Sequence, residues 1–352
     1  MSSDPDVRRF SCPAPRLDHD TIQLAHGAGG RLSNDLIEQV ILPRFSSPEL
    51  DCLEDQAVVE LPPGRVAVST DTFVVAPIFF PGGDIGDLAV NGTVNDVAMS
   101  GARPLVMTVG LVLEEGLPLA DLVRVLDSMA RAADRADVRV VTGDTKVVPR
   151  GACDRLFINT TGLGVVPDGV SLRATALEPG DAVLISGTLA DHGMAVMTQR
   201  DGLSFAGDIA SDTAALHGLI AELVSACSEV RALRDPTRGG LATTLNEFAA
   251  ASGVGILIDE PALPVRPNVR GACELLGIDP LHVANEGKLV AVVSNREAER
   301  ALKVLQNHDL GREAVQIGTV RGDHPGMVVM RTTLGAERII AMPVGDILPR
   351  IC

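Results

Sequence analysis

The chain has 352 residues, which is enough for two domains with buried cores. It carries 46 acidic and 30 basic residues, a net charge of -16, and has neither Trp nor Tyr, which argues against a nucleic acid or an anionic membrane as its main partner. The six cysteines form no C-x-x-C pair, and we find no signal peptide or long apolar segment, so we expect a cytoplasmic protein with free thiols and no structural zinc site.

The hydrophobic pattern predicts alternating strands and helices after a loose, polar arm over residues 1–20. In the first half, the predicted strands cover residues 56–61, 65–70, 107–113, 138–141 and 156–166, and the predicted helices cover 85–100 and 119–136. In the second half, the predicted strands cover 183–186, 254–258, 289–293, 316–321 and 327–331, and the predicted helices cover 189–199, 212–228, 241–251, 269–276 and 296–306.

Proline- and glycine-containing connectors around residues 168–178 predict a domain boundary there. We therefore divide the chain into four parts. They are an N-terminal arm with a glycine-rich loop (1–45), a first domain (46–168), a second domain (169–340) and a tail (341–352).

Three glycines follow His26 and precede a short helical pattern: Gly27, Gly29 and Gly30. Backbone N–H groups in such a loop can approach phosphate oxygens closely, and a helix N-terminus adds partial positive charge. No G-K-[ST] sequence follows, so the loop is not a P-loop. From the residues alone, a phosphate-binding loop and a plain hinge both fit.

Three acidic residues lie just past apolar strands or among small apolar residues: Asp71, Asp96 and Asp144. Carboxylate oxygens are the ligands that Mg²⁺ prefers, so the three could share one metal ion. Lys146, two residues after Asp144, adds a positive charge suited to a phosphate. Solvated loop carboxylates or helix caps are the alternative interpretation.

Further polar residues occur among small apolar residues or next to glycines, where their side chains need hydrogen-bond partners or a ligand. Asn91 and Asn95 lie four residues apart on one face of a predicted helix that is rich in small apolar residues. Residues 235–240 read D-P-T-R-G-G before a predicted helix, where they could face a phosphate or a metal. Glu286 is a candidate base and Lys288 a candidate anion-binding group, with a surface ion pair near a turn as the alternative.

The chain ends in Cys352, after a stretch in which Pro343, Gly345 and Pro349 disfavour a helix. We expect a mobile tail with an accessible thiol, and an extended chain of this length could carry the sulfur roughly 30 Å from the body. A prenylation signal is excluded, because it needs the cysteine four places from the end. A frayed end with an incidental cysteine is the alternative.

Together these segments resemble the aminoimidazole ribonucleotide (AIR) synthetase-like superfamily, which includes selenophosphate synthetase and thiamine-monophosphate kinase. The segments that match are Ser69-Thr70-Asp71, Val94-Asn95-Asp96-Val97, Gly143-Asp144-Thr145, Asp235-Pro236-Thr237-Arg238-Gly239-Gly240 and Asn285-Glu286-Gly287-Lys288. Within the superfamily the chain is similar to the HypE family of hydrogenase maturation proteins. The segments that single out this family are Pro81-Gly82-Gly83-Asp84-Ile85-Gly86, Gly143-Asp144-Thr145-Lys146-Val147-Val148 and the ending Pro349-Arg350-Ile351-Cys352.

The resemblance covers residues 22–352. Selenophosphate synthetases are less similar, since they carry Cys or selenocysteine in the glycine-rich loop and this chain does not. The resemblance implies an α+β, two-domain PurM-like (AIR synthetase-like) fold, in which each domain is a mixed sheet with helices on one face, followed by a flexible C-terminal tail. It also implies a homodimer whose N-terminal sheets close into a barrel, with ATP at the inter-domain and dimer cleft.

The resemblance further implies a reaction at Cys352. A partner carbamoyltransferase, HypF, would place a carbamoyl group on the sulfur, and the chain would dehydrate this group to a thiocyanate with ATP. The cyano group would then pass to iron on a HypC–HypD scaffold, as a ligand for [NiFe]-hydrogenase. Two alternatives stay open: a small-molecule kinase or ligase of the same superfamily, and a carrier whose thiol only ferries a group.

In this scheme Glu286 would accept the nitrogen proton, and Lys146 would neutralise the charge on the transferring group. Mg²⁺ on the triphosphate would be held by Asp71, Asp96, Asp144 and Asp235. The same four residues would contact the nucleotide together with Gly27, Gly29, Gly30, Asn91, Asn95 and Arg238. The glycine-rich loop would cover the phosphates and exclude water.

Overall fold

In the computed structural model, apolar runs of four to twelve residues form two mixed sheets, and amphipathic or small-residue helices separate these runs along the chain. The structure describes residues 19–45, 47–202, 207–343, 345 and 350–352. The strands are β1 (Arg65–Phe73), β2 (Phe79–Phe80), β3 (Gly83–Asp84), β4 (Arg103–Glu114), β5 (Arg139–Val148), β6 (Leu156–Val166), β7 (Ala182–Ile185), β8 (Val230–Arg234), β9 (Gly255–Asp259), β10 (Val290–Val293), β11 (Val315–Arg321), β12 (Val328–Arg331) and β13 (Glu337–Ile340). The helices are α1 (Arg31–Leu36), α2 (Ile85–Ala98), α3 (Leu119–Ala136), α4 (Asp191–Arg200), α5 (His217–Ala226), α6 (Gly240–Ser252), α7 (Pro267–Leu276) and α8 (Ala298–Asn307).

Most of the predicted N-terminal arm and part of the predicted tail lie outside the described residues. The first sheet has the order β1-β6-β4-β5, with β4 and β5 parallel and the other pairs antiparallel. Helices α2 and α3 pack on one face, where nearly all of α2 is buried. On the other face, Val66 and Val68 of β1 are 45% and 63% exposed. An uncovered apolar sheet face is therefore available on the first domain.

The second sheet has the order β13-β12-β9-β11-β7-β10-β8. Strands β7 and β10 are apolar and buried at every position, so alternate side chains enter two different cores. Val183 and Ile185 join the core that contains α6 residues, whereas Ala182 and Leu184 join the core formed with α5 and α8. The expectation of helices on one face is met by the first sheet, while the second is covered on both.

Several predicted elements change at their ends, and one is wrong. Helix α3 has the predicted bounds, whereas residues 56–61 form no strand, being largely exposed and followed by two prolines. Strand β5 continues to Val148, so Asp144 and Lys146 lie within a strand rather than in a loop beyond it. The helix predicted from residue 212 begins at His217, which leaves residues 207–216 extended along the domain boundary.

Strands β2, β3, β8 and β13 were not predicted. No helix among the described residues combines the length and apolar composition needed to cross a membrane.

Candidate active site

An acidic cluster forms where the two domains meet: Asp71 on β1, Asp96 on α2, Asp235 after β8, and Glu286 before β10. Burial raises the pKa of Asp235 to about 7, and repulsion from Asp96 and Asp71 adds to this effect. Burial also raises the pKa of Glu286 well above its usual range, with further contributions from the three aspartates and from Asp212. The four carboxyl groups therefore lie near enough to repel one another.

Arg238 lies at the exposed side of this cluster, just before helix α6. Burial raises the pKa values of Asp71 and Asp96, and the positive charge of Arg238 partly offsets both increases. The hydroxyl of Ser69 donates a hydrogen bond to Asp96 at 2.8 Å, so this carboxylate is oriented as well as buried. The cluster is an acidic pocket, and the positive charges of Arg238 and Arg234 act on its carboxyl groups.

Glu286 is held in place by its backbone and leaves part of its carboxyl group unused. The side chain is 3% exposed, and its Oε1 atom has no hydrogen-bond partner within the described parts of the chain. The backbone N–H donates to Asp212 at 3.1 Å, and the backbone carbonyl accepts from Asn95 at 3.2 Å. At Gly287 a Cβ atom would lie 1.7 Å from the carbonyl oxygen of Asp212, so only glycine permits this approach.

Asn91 and Asn95 share one face of α2 as predicted, but their contacts are with protein. The side-chain oxygen of Asn95 accepts the backbone N–H of Leu216 at 2.7 Å, and its amide nitrogen donates to the carbonyls of Ala214 and Glu286. The amide nitrogen of Asn91 donates to Asp87 and to Thr213. The structure gives these two residues the role of anchoring residues 213–216 to α2.

Lys288 forms a buried ion pair with Asp212, at 3.1 Å, and the two side chains are 12% and 5% exposed. Burial is the largest single influence and opposes ionisation of Asp212. The contributions of Lys288, His192 and the backbone N–H of Glu286 together outweigh it, so the pKa of Asp212 is lowered. Lys288 is therefore not part of a surface ion pair, and its role in binding an anion stays a prediction.

The glycine-rich loop lies against strand β5. A Cβ atom at Gly27 would come within 2.6 Å of the backbone nitrogen of Val147. The loop can therefore pack against β5 only because residue 27 is glycine, which has no Cβ atom. Beside it is a cavity of about 330 Å³, whose lining includes Phe45 and Lys146. That size is typical of small-molecule sites. Lys146 and Asp144 form an exposed ion pair at 3.0 Å.

The expectation that Asp144 joins Asp71, Asp96 and Asp235 around one metal ion is not met within this chain. Strands β1 and β5 are the opposite edges of the first sheet. Three inter-strand spacings place their backbones about 14 Å apart. Asp144 and Lys146 are therefore separated from the acidic cluster, and the chain carries two half-sites.

The acidic cluster nevertheless suits Mg²⁺. Among the described residues, no three potential ligands lie close enough to enclose an ion by themselves. Mg²⁺ is commonly bound by one or two carboxylates together with substrate phosphates, so a preformed cage is not required. Buried, mutually repelling carboxyl groups, with one unpartnered oxygen on Glu286, suit a cation that arrives with a nucleotide.

The three last residues lie against the chain in this structure. The backbone N–H groups of Val74 and Ala76 donate to the carbonyl oxygens of Cys352 and Arg350, each at 3.2 Å. The Ile351 side chain is 2% exposed, and Cys352 packs half-buried against the core of the first domain. The predicted mobility of the tail falls largely on residues 344 and 346–349, outside the described residues.

Sequence reasoning missed the residues that connect the tail to the cluster: Ser211, Asp212 and His192. His192 and Asp212 both fall within predicted helices. Their partners are distant in sequence, and no local spacing marks them. The polar run Ser211-Asp212-Thr213 is the one signal that could have drawn attention to this segment.

Comparisons with known proteins agree with this architecture. Residues 53–166 match the family model "AIR synthase related protein, N-terminal domain", and residues 178–330 match the corresponding C-terminal domain. The carbamoyl dehydratase HypE of Azotobacter vinelandii is 53% identical over 339 residues, covering 96% of this chain and 99% of that protein.

Two solved structures are similar along almost their whole length. A structure of hydrogenase maturation protein HypE in complex with ATP has a TM-score of 0.92 at 50% identity, covering 94% of this chain and 100% of that one. A structure of a HypE–HypF complex has a TM-score of 0.77 at 48% identity, covering 88% and 99%. These matches confirm the resemblance and the two-domain PurM-like fold, and the chain belongs to the HypE family of hydrogenase maturation proteins.

Proposed function

We propose that the chain is an ATP-dependent carbamoyl dehydratase that converts an S-carbamoyl group on its own Cys352 into a thiocyanate, which supplies the cyanide ligands of the [NiFe]-hydrogenase iron. One observation carries this proposal: the terminal residue is docked at the end of β1, the strand that carries Asp71 of the acidic cluster. Cys352 accepts a hydrogen bond from Val74, the residue after Phe73. At Gly92, a Cβ atom would lie 2.9 Å from the Phe73 ring and 3.9 Å from Glu286 Oε2.

The chemistry explains why ATP is needed. The oxygen of a carbamoyl group is a poor leaving group, and transfer of the terminal phosphoryl group of ATP to it creates a good one. Phosphate then leaves as the nitrogen loses its protons and the carbon–nitrogen triple bond forms. The balance is S-carbamoyl plus ATP to thiocyanate plus ADP and phosphate. Every atom of the lost water therefore leaves with the phosphate or as a proton.

Glu286 is the proton acceptor in this scheme. Its backbone is fixed on both sides, by Asp212 and by Asn95, and its Oε1 atom is unpartnered within the described residues. Burial and the neighbouring aspartates raise its pKa, which makes the Glu286 carboxylate a stronger base than an exposed one.

The nucleotide and its metal would bind in the acidic pocket. Asp71, Asp96 and Asp235 would hold Mg²⁺, with Arg238 next to the phosphates at the rim. A magnesium ion bound with the triphosphate would offset the negative charge that develops during phosphoryl transfer. The loop that contains Gly27, Gly29 and Gly30 would cover the phosphates.

A homodimer would unite the two half-sites. The uncovered face of the first sheet carries exposed valines, and the acidic cluster and Lys146 lie at opposite sheet edges. Two such sheets facing each other about a two-fold axis would bring the β1 edge of one subunit to the β5 edge of the other. Asp144, Lys146 and the glycine-rich loop of one subunit would then complete the acidic cluster of the other, with ATP between them.

Two partners follow from the reaction. Cys352 must receive a carbamoyl group and later give up the cyano group, because the chain itself makes neither donor nor acceptor. The similarity to a HypE–HypF complex supports a HypF carbamoyltransferase as the donor. A HypC–HypD scaffold carrying iron would be the acceptor, and we place these exchanges in the cytoplasm, where thiols stay reduced.

Intact-mass analysis tests the proposal. The purified chain is incubated with carbamoyl phosphate, the transferase and ATP. We expect a carbamoyl adduct on Cys352 and then the loss of one water from that adduct. Cys352→Ser should give neither product, whereas Cys52→Ser, which removes an exposed thiol elsewhere, should give both. An adduct on any other cysteine, or water loss without ATP, would refute the proposal.

A further inference from the structure

His192 is a fully buried histidine that contacts the C-terminal tail. It lies in the first turn of α4, and its Nε2 atom is 2.9 Å from the carbonyl oxygen of Ile351. Its Nδ1 atom is 2.8 Å from the hydroxyl of Ser211. The ring of Phe80 packs edge-on against it, with ring centroids 5.4 Å apart. Both ring nitrogens are therefore used, and the ring cannot rotate without losing one of these contacts.

The partners determine which nitrogen carries the proton. A carbonyl oxygen can only accept, so Nε2 must donate to Ile351. Burial lowers the pKa of His192, which keeps the ring neutral, and Nδ1 must then accept from the Ser211 hydroxyl. Ser211 already accepts the backbone N–H of Thr213 at 3.1 Å, so its own hydrogen can point to the ring. The chain of donors therefore runs from Thr213 through Ser211 and His192 to the tail.

The other tail contacts also reach backbone carbonyls. Arg200 donates to the carbonyl of Arg350 at 2.8 Å and to the carbonyl of Ala76 at 2.9 Å, and Arg350 pairs with Asp154. Among these contacts, His192 alone holds the carbonyl that immediately precedes Cys352. Ser211 is followed by Asp212, which binds the backbone of Glu286. The tail and the candidate base are therefore positioned by two adjacent residues.

We propose that His192 is a positioning residue that seats the penultimate peptide group, and so fixes where the Cys352 sulfur lies relative to Glu286. This inference builds on the proposed dehydratase function, although the docking itself does not depend on it. In the docked state Cys352 is half-buried against hydrophobic core residues, and breaking the His192–Ile351 bond releases the tail for loading and unloading. His192 acts through the tail backbone and does not touch the carbamoyl group.

Thiol alkylation in the full chain, without ATP or transferase, tests the docking. We would measure the rate of N-ethylmaleimide addition at Cys352 by peptide mass spectrometry, with Cys52 as the internal reference thiol. One lost hydrogen bond predicts an increase of about five- to tenfold for His192→Asn. In His192→Gln the amide nitrogen reaches the position of Nε2, so the rate should stay within about twofold of the parent. His217→Leu, a histidine outside the tail contacts, should change nothing.

A second readout separates positioning from folding. Histidine ¹⁵N NMR of the parent chain should show one buried Nε2–H tautomer, and this signal should shift when residues 350–352 are deleted. An unshifted signal, or equal alkylation rates in folded His192→Asn and parent chains, would overturn the proposal. If alkylation responds as expected but no thiocyanate forms in the intact-mass experiment, the proposed function fails and the docking role of His192 stands.

In the reaction itself, His192→Asn should keep carbamoylation by the transferase and lower the rate of water loss about tenfold or more, with His192→Gln restoring it. Loss of both steps together in a folded His192→Asn chain would contradict a role limited to positioning the docked tail.

Discussion

The backbone N–H of Glu286 donates a hydrogen bond to the carboxylate of Asp212 at 3.1 Å. The same carboxylate forms the buried ion pair with Lys288, so one side chain both balances a buried charge and fixes the candidate base. Asp212 therefore contributes both to the stability of the fold and to the position of the candidate base.

Asp212→Ala should lower the free energy of unfolding by about 3–5 kcal/mol, because it leaves the Lys288 ammonium buried without a partner. Urea denaturation measures this. Asp212→Ala combined with Lys288→Met should recover most of the loss. Glu299→Ala, which removes the exposed i,i+4 pair with Lys303, should change little and serves as the control. Equal losses for the single and double variants would show that the buried charge is not the cause.

Glu286→Gln should retain ATP binding and accept the carbamoyl group, yet form thiocyanate about 100-fold more slowly or worse, since an amide cannot accept the nitrogen proton. Mass spectrometry should show the carbamoyl adduct accumulating. Glu274→Gln, at an exposed position of α7, should behave as the parent chain. A thiocyanate rate unchanged by Glu286→Gln would remove Glu286 from the mechanism.

Mixed dimers should reveal whether the site is shared between subunits. Lys146→Ala and Glu286→Gln chains are each expected to be inactive alone, whereas an equimolar exchanged mixture should recover roughly a quarter of the parent activity, since half the dimers hold one intact site. Asp235→Asn mixed with Glu286→Gln should stay inactive, because both changes affect the same half-site. If the first mixture recovers no activity, then Lys146 and Glu286 either act in the site of the same subunit or do not act in the same reaction.

The stability of the metal-free protein should fall as pH rises from about 5 to about 8. The pKa of Asp235 is about 7 in the folded chain against 3.8 as its ordinary value. Between those values the folded state holds a proton that the unfolded state lacks, so stability from this group is present at low pH and lost as pH rises through 7. Urea unfolding with a chelator present measures the trend. Asp235→Asn should flatten it, and an equally steep trend in that variant would assign the dependence elsewhere.

The residues alone grouped Asp71, Asp96 and Asp144, because each carboxylate stands out against its neighbours, and the resemblance added Asp235 and Glu286. Within this chain Asp144 and Lys146 lie at the opposite sheet edge from Asp71. Strand order is decided by packing between distant segments, and β5 pairs with β4 while β1 pairs with β6 at the far edge. A short motif on a strand therefore indicates which chemical groups the strand carries, but it does not predict the position of that strand in the sheet.

The docked tail could not be predicted for a related reason. His192 and Ile351 are 159 residues apart. The contact is to a backbone carbonyl, which every residue has, so the type of residue 351 does not indicate it. Asn95 shows the opposite case: its cost in an apolar helix was recognised, and the structure shows that backbone groups of residues 214, 216 and 286 are partners of its side chain. Its contact with a nucleotide stays a prediction.

Because Arg350–Cys352 occupy a groove on their own polypeptide, reactant and catalyst are covalently one molecule. Such tethering gives an effective concentration in the millimolar range, against which a dissolved thiol competes poorly. The dehydration step should then be first-order in protein, unaffected by dilution of folded dimers, and without a Michaelis constant for the carbamoyl group. In the proposed reaction, the Cys352 thiol is selected over other thiols because it belongs to the same polypeptide. The cyano group must then leave Cys352 after each cycle before a new carbamoyl group can be added.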